Sequence, residues 1–408
     1  TDHHVLGDEL PDTVALVNAQ RADSVYPDRR LSGAGVAFKV AQLLLDGSDE
    51  ERRVALELAD LAAVGSIADV VPIAGENRAI VRLGLARLER EPRPGLAALM
   101  RRARVDRDAI STEDISFGLA PRINAMGRVG DPSVAAQLLL AADTDTAETL
   151  AGQLESANQR RRELTTSAMA GAREALAAAP ASPFIVIAGD WPVGVIGLVA
   201  GRLAEEAGRP ALVLSTSVEP WRGSARSAGG VDLAAAFAAC GDLFERYGGH
   251  PAAAGCHLQP GDLDQLRSRL EAFVEVRPPA DERPSLSIDL IQSADAADYV
   301  LLRELAPLEG AGDAPPLVGI AGLAVTQVRA ANGGHTQLTL RRGVETIDGI
   351  AFGRADLAEQ LTEGSEIDVV ARLASNTFGG WERLQLEIRD VAPAGWLRPL
   401  RSPGAGAR

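Results

Sequence analysis

The sequence predicts two α/β domains joined by a long helix and followed by a small β-barrel. The first indication is a helical pattern over residues 143–179, polar all round at Gln159-Arg-Arg-Arg-Glu163, as expected of a helix that bridges domains. A strand–helix–strand run comes next, with apolar Phe184–Ala188, helical Val195–Glu206 and apolar Ala211–Ser215. The last is a series of short alternating runs after the Pro-rich stretch Arg277–Pro284.

Taken in order, residues 14–18 (Val-Ala-Leu-Val-Asn) read as a short buried strand. Leu31-Ser-Gly-Ala-Gly-Val-Ala-Phe-Lys39 reads as a Gly-rich turn opening a helix to about residue 45. Residues 50–64 and 76–90 have helical spacing, with Gly65–Pro72 a tight connection between them. These elements form a first domain over 1–142. The connecting helix covers 143–180, capped at its start by Asp/Thr candidates and ended by Pro180 and Pro183. A second α/β domain spans 181–276. A barrel of the OB type over 281–395 takes its strands from 286–290, 317–328, 336–340, 346–352, 366–373 and 383–388. The tail 396–408 is read as disordered by composition.

Composition narrows the function. The net charge of −15 argues against a protein that coats nucleic acid, although a local basic groove can sit on an acidic body. Lys39 is the only lysine, so phosphate recognition falls to arginine forks, backbone N–H groups or metal. No apolar run reaches the ~18–20 residues of a membrane span. Cys240 and Cys256 are too few for a disulfide framework and lack zinc spacing; they are read as small core residues in a cytoplasmic protein. The first residues have neither the pattern of a signal peptide nor an initiator Met, which suggests a start inside a longer protein.

Asp2-His3-His4 is the sharpest short signal, because imidazole and carboxylate are the usual donors for Mn²⁺-type ions. Standing alone, such a tripeptide is more often a loop with cap histidines. Asp69, within Gly65-Ser-Ile-Ala-Asp-Val-Val-Pro72, is by itself a helix cap or turn residue. Arg122, Asn124 and Arg128 lie in a loop-like stretch. Gly223-Ser-Ala-Arg-Ser-Ala-Gly-Gly230 is a small-residue turn where Ser224 and Arg226 could meet an anion. Gly248-Gly249 permit a tight turn that presents His250. His257 and His335 are read as structural or surface residues. Phe352, Phe378 and Trp381 are the aromatics available for base stacking, and each is also a candidate core residue.

Taken together and in this order, these motifs resemble the RecJ-type exonucleases of the DHH phosphoesterase family. The resemblance rests on Asp2-His3-His4, Leu31–Lys39, Gly65–Pro72, Phe117-Gly-Leu-Ala-Pro-Arg-Ile-Asn-Ala-Met-Gly-Arg128, Gly194–Ala204, Gly223–Ser227 and Arg246-Tyr-Gly-Gly-His-Pro-Ala-Ala-Ala-Gly255. It continues more weakly through Gly334–Leu340 and Ile350–Gly353. It implies the C-terminal portion of a DHH domain over 1–142, a connecting helix, a DHHA1 domain and an OB-like barrel. The implied activity is 5′-to-3′ hydrolysis of single-stranded DNA in recombination and repair, with two Mn²⁺ or Mg²⁺ ions. In that scheme His3 is a metal ligand and His4 lies beside the metals against the phosphate. Asp69 is a further carboxylate ligand, and Asp2 orients the histidines. Arg122, Asn124, Arg128, Ser224, Arg226 and His250 bind the substrate and its 5′-phosphate, across a cleft between the α/β domains. The implied partners are single-stranded DNA, a helicase and a single-strand-binding protein, with the chain a monomer and no membrane involved.

Two departures qualify the match. The family's further aspartates, an Asp-x-Asp-Gly stretch and an Asp ahead of the paired histidines, have no counterpart here. This chain alone is therefore expected to bind metal weakly and cleave poorly. The family's Pro-Phe-Gly-x-Gly-Asn-Pro stretch appears only as Pro307-Leu-Glu-Gly-Ala-Gly-Asp313. One alternative is a DHH phosphodiesterase for short oligonucleotides or cyclic dinucleotides, which usually lacks the barrel. Another is a catalytically silent DNA-binding scaffold.

Overall fold

A computed structural model describes residues 1–7, 10–277, 285–308, 315–378 and 381–397. They fall into two compact units, one holding 1–87 and 286–408 and the other 88–285. The Pro-rich stretch 278–284, most of the Pro307–Asp313 segment and the tail from 398 lie outside the described residues, as do the side chains of Phe378 and Trp381.

In the first unit, residues 1–87 supply α1 (Gly33–Leu44), α2 (Asp49–Glu57), α3 (Ala59–Ala68) and most of α4 (Gly75–Arg90). Ser32 caps α1 by accepting from the Gly35 N–H at 2.9 Å. Leu31, Val36 and Phe38 of this region pack against Ala59, Ala62 and Ile80. The strand expected at 14–18 does not form: Val14 and Val17 are exposed. A strand needs a neighbour to satisfy its backbone, and here the Asp2 N–H reaches Val17 O and the Arg21 side chain reaches Leu16 O, with no described strand paired alongside. The expected tight connection at Gly65–Pro72 is also corrected, because α3 runs through Ala68 and ends on Asp69.

The second unit begins with three helices, α5 (Pro94–Ala103), α6 (Ala120–Val129) and α7 (Pro132–Leu140). All three pack on α8 (Thr144–Ala178), which Asp143 caps. Leu96, Leu99, Leu138 and Leu154 are fully buried, each worth roughly 1.5–3 kcal/mol over exposure. This is why the compact unit begins near residue 88.

Beyond α8 come β1 (Ile185–Gly189), α9 (Val193–Ala207), β2 (Ala211–Ser215) and β3 (Trp221–Arg226). They are followed by α10 (Leu233–Ala238), β4 (Phe244–His250), β5 (Ala253–Leu258) and α11 (Leu263–Val276). The sheet order is β1-β2-β3-β5-β4, with β1 and β2 parallel and the other pairs antiparallel. Phe184, Val186, Leu212 and Leu214 face α10 and α11, while Ile185, Ile187, Ala211 and Val213 face α8 and α9. Strands covered on both faces are therefore apolar throughout.

The residues after 285 contribute β6 (Leu290–Ser293), α12 (Tyr299–Leu305), β7 (Val318–Ala331) and β8 (His335–Arg342). The chain continues through β9 (Glu345–Ala351), α13 (Leu357–Gln360), β10 (Glu366–Phe378) and β11 (Trp381–Pro393). Strands β7, β8, β9, β11 and β10 close into a barrel, because the long β7 pairs with β10 through its first half and β8 through its second. β6 adds alongside β7 in parallel.

Candidate active site: a histidine–carboxylate cluster and an arginine cleft

In residues 1–87 the chain converges on the end of α3 and the start of α1. The Ser32 and Ser66 hydroxyls share a buried hydrogen bond of 2.6 Å that ties the two helices. Asn77, fully buried on α4, donates to Arg30 O at 2.6 Å and Pro72 O at 3.1 Å, fixing both flanking loops. Asn18 holds the histidine segment by donating to His4 O at 2.9 Å.

On this frame His3 Nε2 lies 3.2 Å from Asp69 Oδ2, and His4 Nδ1 lies 2.8 Å from Asp2 Oδ1. The two rings are 4.3 Å apart between centroids. Asp2 Oδ1 also accepts the His3 N–H at 2.7 Å. The bond from the His4 ring, and then that backbone bond, hold the Asp2 carboxyl at about 2, well below its ordinary range. Val70, directly after Asp69, adopts φ +57, a left-handed conformation that is costly for a β-branched residue.

One donor atom each from Asp2, His3 and His4 lies within 4.8 Å of the others. Imidazole nitrogen with carboxylate oxygen suits Mn²⁺, and the carboxylates alone suit Mg²⁺. The donor set therefore fits such an ion, and Asp69 Oδ2, 3.2 Å from His3 Nε2, offers a further oxygen beside it.

The second feature lies wholly within residues 88–285. A cleft of about 540 Å³ is lined by Arg128, Arg222, Ser224, Arg226, Arg246 and His257, and by no acidic residue. None of the four arginines has a carboxylate partner among the described residues. Strand alternation builds its floor. Arg222, Ser224 and Arg226 share one face of β3, opposite His257, Gly255 and Ala253 of β5. Arg246 of β4 lies beside the same His257. Arg222 Nη1 lies 2.6 Å from His257 Nε2, which makes that nitrogen the acceptor, since a guanidinium only donates.

Arg226 donates to Ser224 Oγ at 3.1 Å and Ala225 O at 2.8 Å. Burial, with Arg128 nearby, lowers its pKa. Two glycines make room for this arrangement. A Cβ on Gly194 would lie 2.0 Å from Arg128 O, and one on Gly197 would crowd Ser224 Oγ at 3.0 Å. The first turn of α9, whose Pro192 cap makes no side-chain bond, offers the Val193 and Gly194 backbone to the cleft.

The sequence-predicted substrate residues divide. Arg128, Ser224 and Arg226 line the cleft. Arg122 does not: it is 8% exposed, held by Glu155 at 2.5 Å and by Gly118 O at 2.7 Å. Asn124 is exposed on α6, and His250 is exposed at the end of β4, neither in the cleft lining. The expected loop around Arg122–Arg128 is a helix, and the expected turn at Ser224–Arg226 is a strand. Arg222, Arg246 and His257 were missed. The alternation of Arg222, Ser224 and Arg226 was the signal that could have found the first of them.

In the barrel, His335 Nδ1 accepts the Gly353 N–H at 3.0 Å and meets half-exposed Phe352 edge-on. Cys240 and Cys256 are buried free thiols, and burial pushes Cys256 up to about 12. No helix among the described residues is long and apolar enough to cross a membrane.

Residues 181–276 match the DHHA1 domain family, and 288–390 match the RecJ OB domain. The single-stranded-DNA-specific exonuclease RecJ of Salmonella typhimurium is 31% identical over 96% of this chain and 72% of its own length. This chain belongs to the RecJ family. The RecJ of Bacillus subtilis is 35% identical over 97% of this chain and 51% of its own length. The chain thus spans about half the length of that relative. The crystal structure of RecJ in complex with Mn²⁺ from Thermus thermophilus superposes with a TM-score of 0.80 at 32% identity. That match covers 98% of this chain and 59% of the crystallised one. A Mg²⁺ complex of the same RecJ gives a TM-score of 0.74 over 88% of this chain and 56% of that one.

Proposed function

We propose that this chain carries the 5′-end-binding part, and some of the metal-binding part, of an exonuclease acting on single-stranded DNA in recombination and repair. The observation that carries the reading is the acid-free cleft with its four arginines. In a chain of net charge −15, unpaired guanidinium groups gathered in one cleft repel each other unless an anion joins them. A terminal phosphate carries about −1.5 to −2 charge, more than the single charge of a phosphodiester, so such a cleft favours a chain end. Tying one terminus in place gives the exonuclease its 5′ polarity.

The ion is read as Mn²⁺ or Mg²⁺, as in the crystallised Thermus RecJ, held here by His3 and Asp69 with Asp2 orienting His4. When bound, it supplies an activated water and neutralises charge on the scissile phosphate. The match over 288–390 to an OB domain favours a long single strand over dinucleotides as substrate. The same reading takes the chain as a cytoplasmic monomer that works beside a helicase and a single-strand-binding protein.

The direct test is binding of 5′-phosphorylated and 5′-hydroxyl oligo-dT, followed by fluorescence anisotropy in chelator. Tighter binding of the phosphorylated strand is expected, and equal affinity would remove the reading. A companion digestion of labelled single-stranded DNA with Mn²⁺ and with chelator asks how much cleavage this chain supports.

A further inference from the structure

The barrel carries a polar slot that the preceding reading does not use. Leu338, Leu340, Ile347 and Leu386 point into the barrel core. Strand alternation therefore leaves Gln337, Thr339, Asp348 and Gln385 on the outer face. Pairing then sets residues of four strands side by side. Gln327 of β7, Thr339 of β8, Asp348 of β9 and Gln385 of β11 form one cross-strand row, and Arg329 opposite Gln337 begins the next. Together they line a space of about 130 Å³, room for one nucleobase. β8 and β9 are the second and third strands of the barrel, the face on which OB folds take oligonucleotides.

Asp348 is the unusual member. It is half-buried, and its only side-chain hydrogen bond among the described residues is a long one, 3.4 Å from the Thr339 hydroxyl. No cation pairs with it among those residues, although Arg329 lines the same space. Elsewhere on the barrel Arg342, Arg354 and Arg372 each pair with a carboxylate. Gln327, Arg329 and Gln337 are exposed, and their side chains make no hydrogen bond among the described residues. The slot thus holds an unclaimed acceptor beside unclaimed donors. On a face that meets a polyanion, a carboxylate repels phosphate, so it is no backbone contact. What it takes from a single strand is a pair of base N–H groups, one on each oxygen. Among the four bases, guanine alone sets two such donors side by side, N1–H and an N2 amino hydrogen, with the O6 acceptor next to them. Thymine presents one N–H between two carbonyl oxygens, which oppose the carboxylate.

We propose that Asp348 is a specificity-determining residue that reads guanine in a single strand. Its two carboxylate oxygens accept N1–H and N2–H, while an amide of Gln327 or Gln337, or the Arg329 guanidinium, donates to O6. This rests on the single-strand reading and goes beyond it. The arginine cleft grips a terminal phosphate whatever the sequence, whereas the barrel slot gives the chain a base preference.

The test binds the full chain, in chelator, to a 5′-phosphorylated oligo-dT in which one thymine at a time is replaced by guanine. Anisotropy is expected to show a short window of positions where guanine tightens binding by about tenfold, the worth of one bidentate base contact. The gain changes little with salt, since no further phosphate is neutralised. Inosine at the same position keeps N1–H and O6 but lacks the amino group, so most of the gain is lost. Asp348→Asn removes the guanine gain and leaves the all-thymine strand at the wild-type affinity, which also shows that the variant is folded. A guanine gain that survives in Asp348→Asn would overturn the proposal. So would inosine equal to guanine, or an affinity that is flat across every position. Failure of the underlying reading shows separately, as an all-thymine strand bound no more tightly with a 5′-phosphate than with a 5′-hydroxyl.

Discussion

The histidine–carboxylate cluster of residues 1–87 and the arginine cleft of residues 88–285 handle charge in opposite ways. In the cluster each imidazole already has a carboxylate, His3 with Asp69 and His4 with Asp2. In the cleft four guanidinium groups have none among the described residues. The cluster is therefore internally satisfied, and an arriving cation must compete with bonds already made. The cleft is internally repelled, and an arriving anion relieves it. Ligand binding is therefore expected to be strong at the cleft and weaker at the cluster.

The largest effect that could break this comparison is Arg226→Ala. It should weaken binding of a 5′-phosphorylated strand by about 100-fold, the upper range for a hydrogen bond to a charged group, while 5′-hydroxyl strands change little. Anisotropy measures both, and equal losses for the two strands would mean that the cleft does not read the terminus. Next is Asp2→Asn, which leaves His4 without its charged partner. Mn²⁺ affinity by calorimetry should fall about 10- to 100-fold, the usual cost of losing an orienting carboxylate. An unchanged affinity would detach Asp2 from the metal site.

Glu155→Gln separates structural from ligand-binding arginines. Removing the partner of buried Arg122 should lower stability by about 1–3 kcal/mol in urea titrations, reduced from the fully buried case because Glu155 is one-third exposed. The 5′-phosphate preference should be untouched, and a shift in that preference would return Arg122 to the substrate site. Smaller still is Val70→Asn, which relieves a left-handed β-branched residue and should stabilise the fold by on the order of 1 kcal/mol. A destabilised variant would show that the valine side chain itself is needed.

The pH dependence gives the finest distinction. The Asp2 carboxyl sits at about 2 in the fold against an ordinary 3.8, so its depressed value contributes stability that is fully present above 3.8. That contribution is lost as pH falls from 3.8 towards 2. The stability difference between wild type and Asp2→Asn should therefore shrink over that window and stay level from pH 5 to 7. A difference that stayed level through that window would mean that the Asp2 carboxyl is not held low.

Much of the fold was legible because it depends on local periodicity. The Asp/Thr cap at the start of the connecting helix, the uninterrupted spacing of 143–179 and the apolar runs at 184–188 and 211–215 each fix an element within a few residues. The grouping of Asp2, His3 and His4 was legible because they are adjacent in the chain, whereas the approach of Asp69 to His3 was not. Segments whose conformation depends on a distant neighbour were not legible. Residues 14–18 have strand composition, but no described strand pairs with them. Residues 120–129 contain Pro121 and Gly127 and read as a loop, yet they are helical against α8, with the proline in the first turn where its missing N–H costs nothing.

By itself, then, the sequence determined which residues could carry charge or bind a cation, and the order of helices and strands that present them. Only the tertiary structure decided which charges meet. Arg122 and Arg128 lie six residues apart on one helix, but one pairs with Glu155 and the other lines the cleft, where it bonds Gly194 O. Arg222, Arg246 and His257 come from three strands and share a cleft only because antiparallel pairing sets them side by side. Electrostatic energy depends on distance through space, and the folded chain alone fixes that distance.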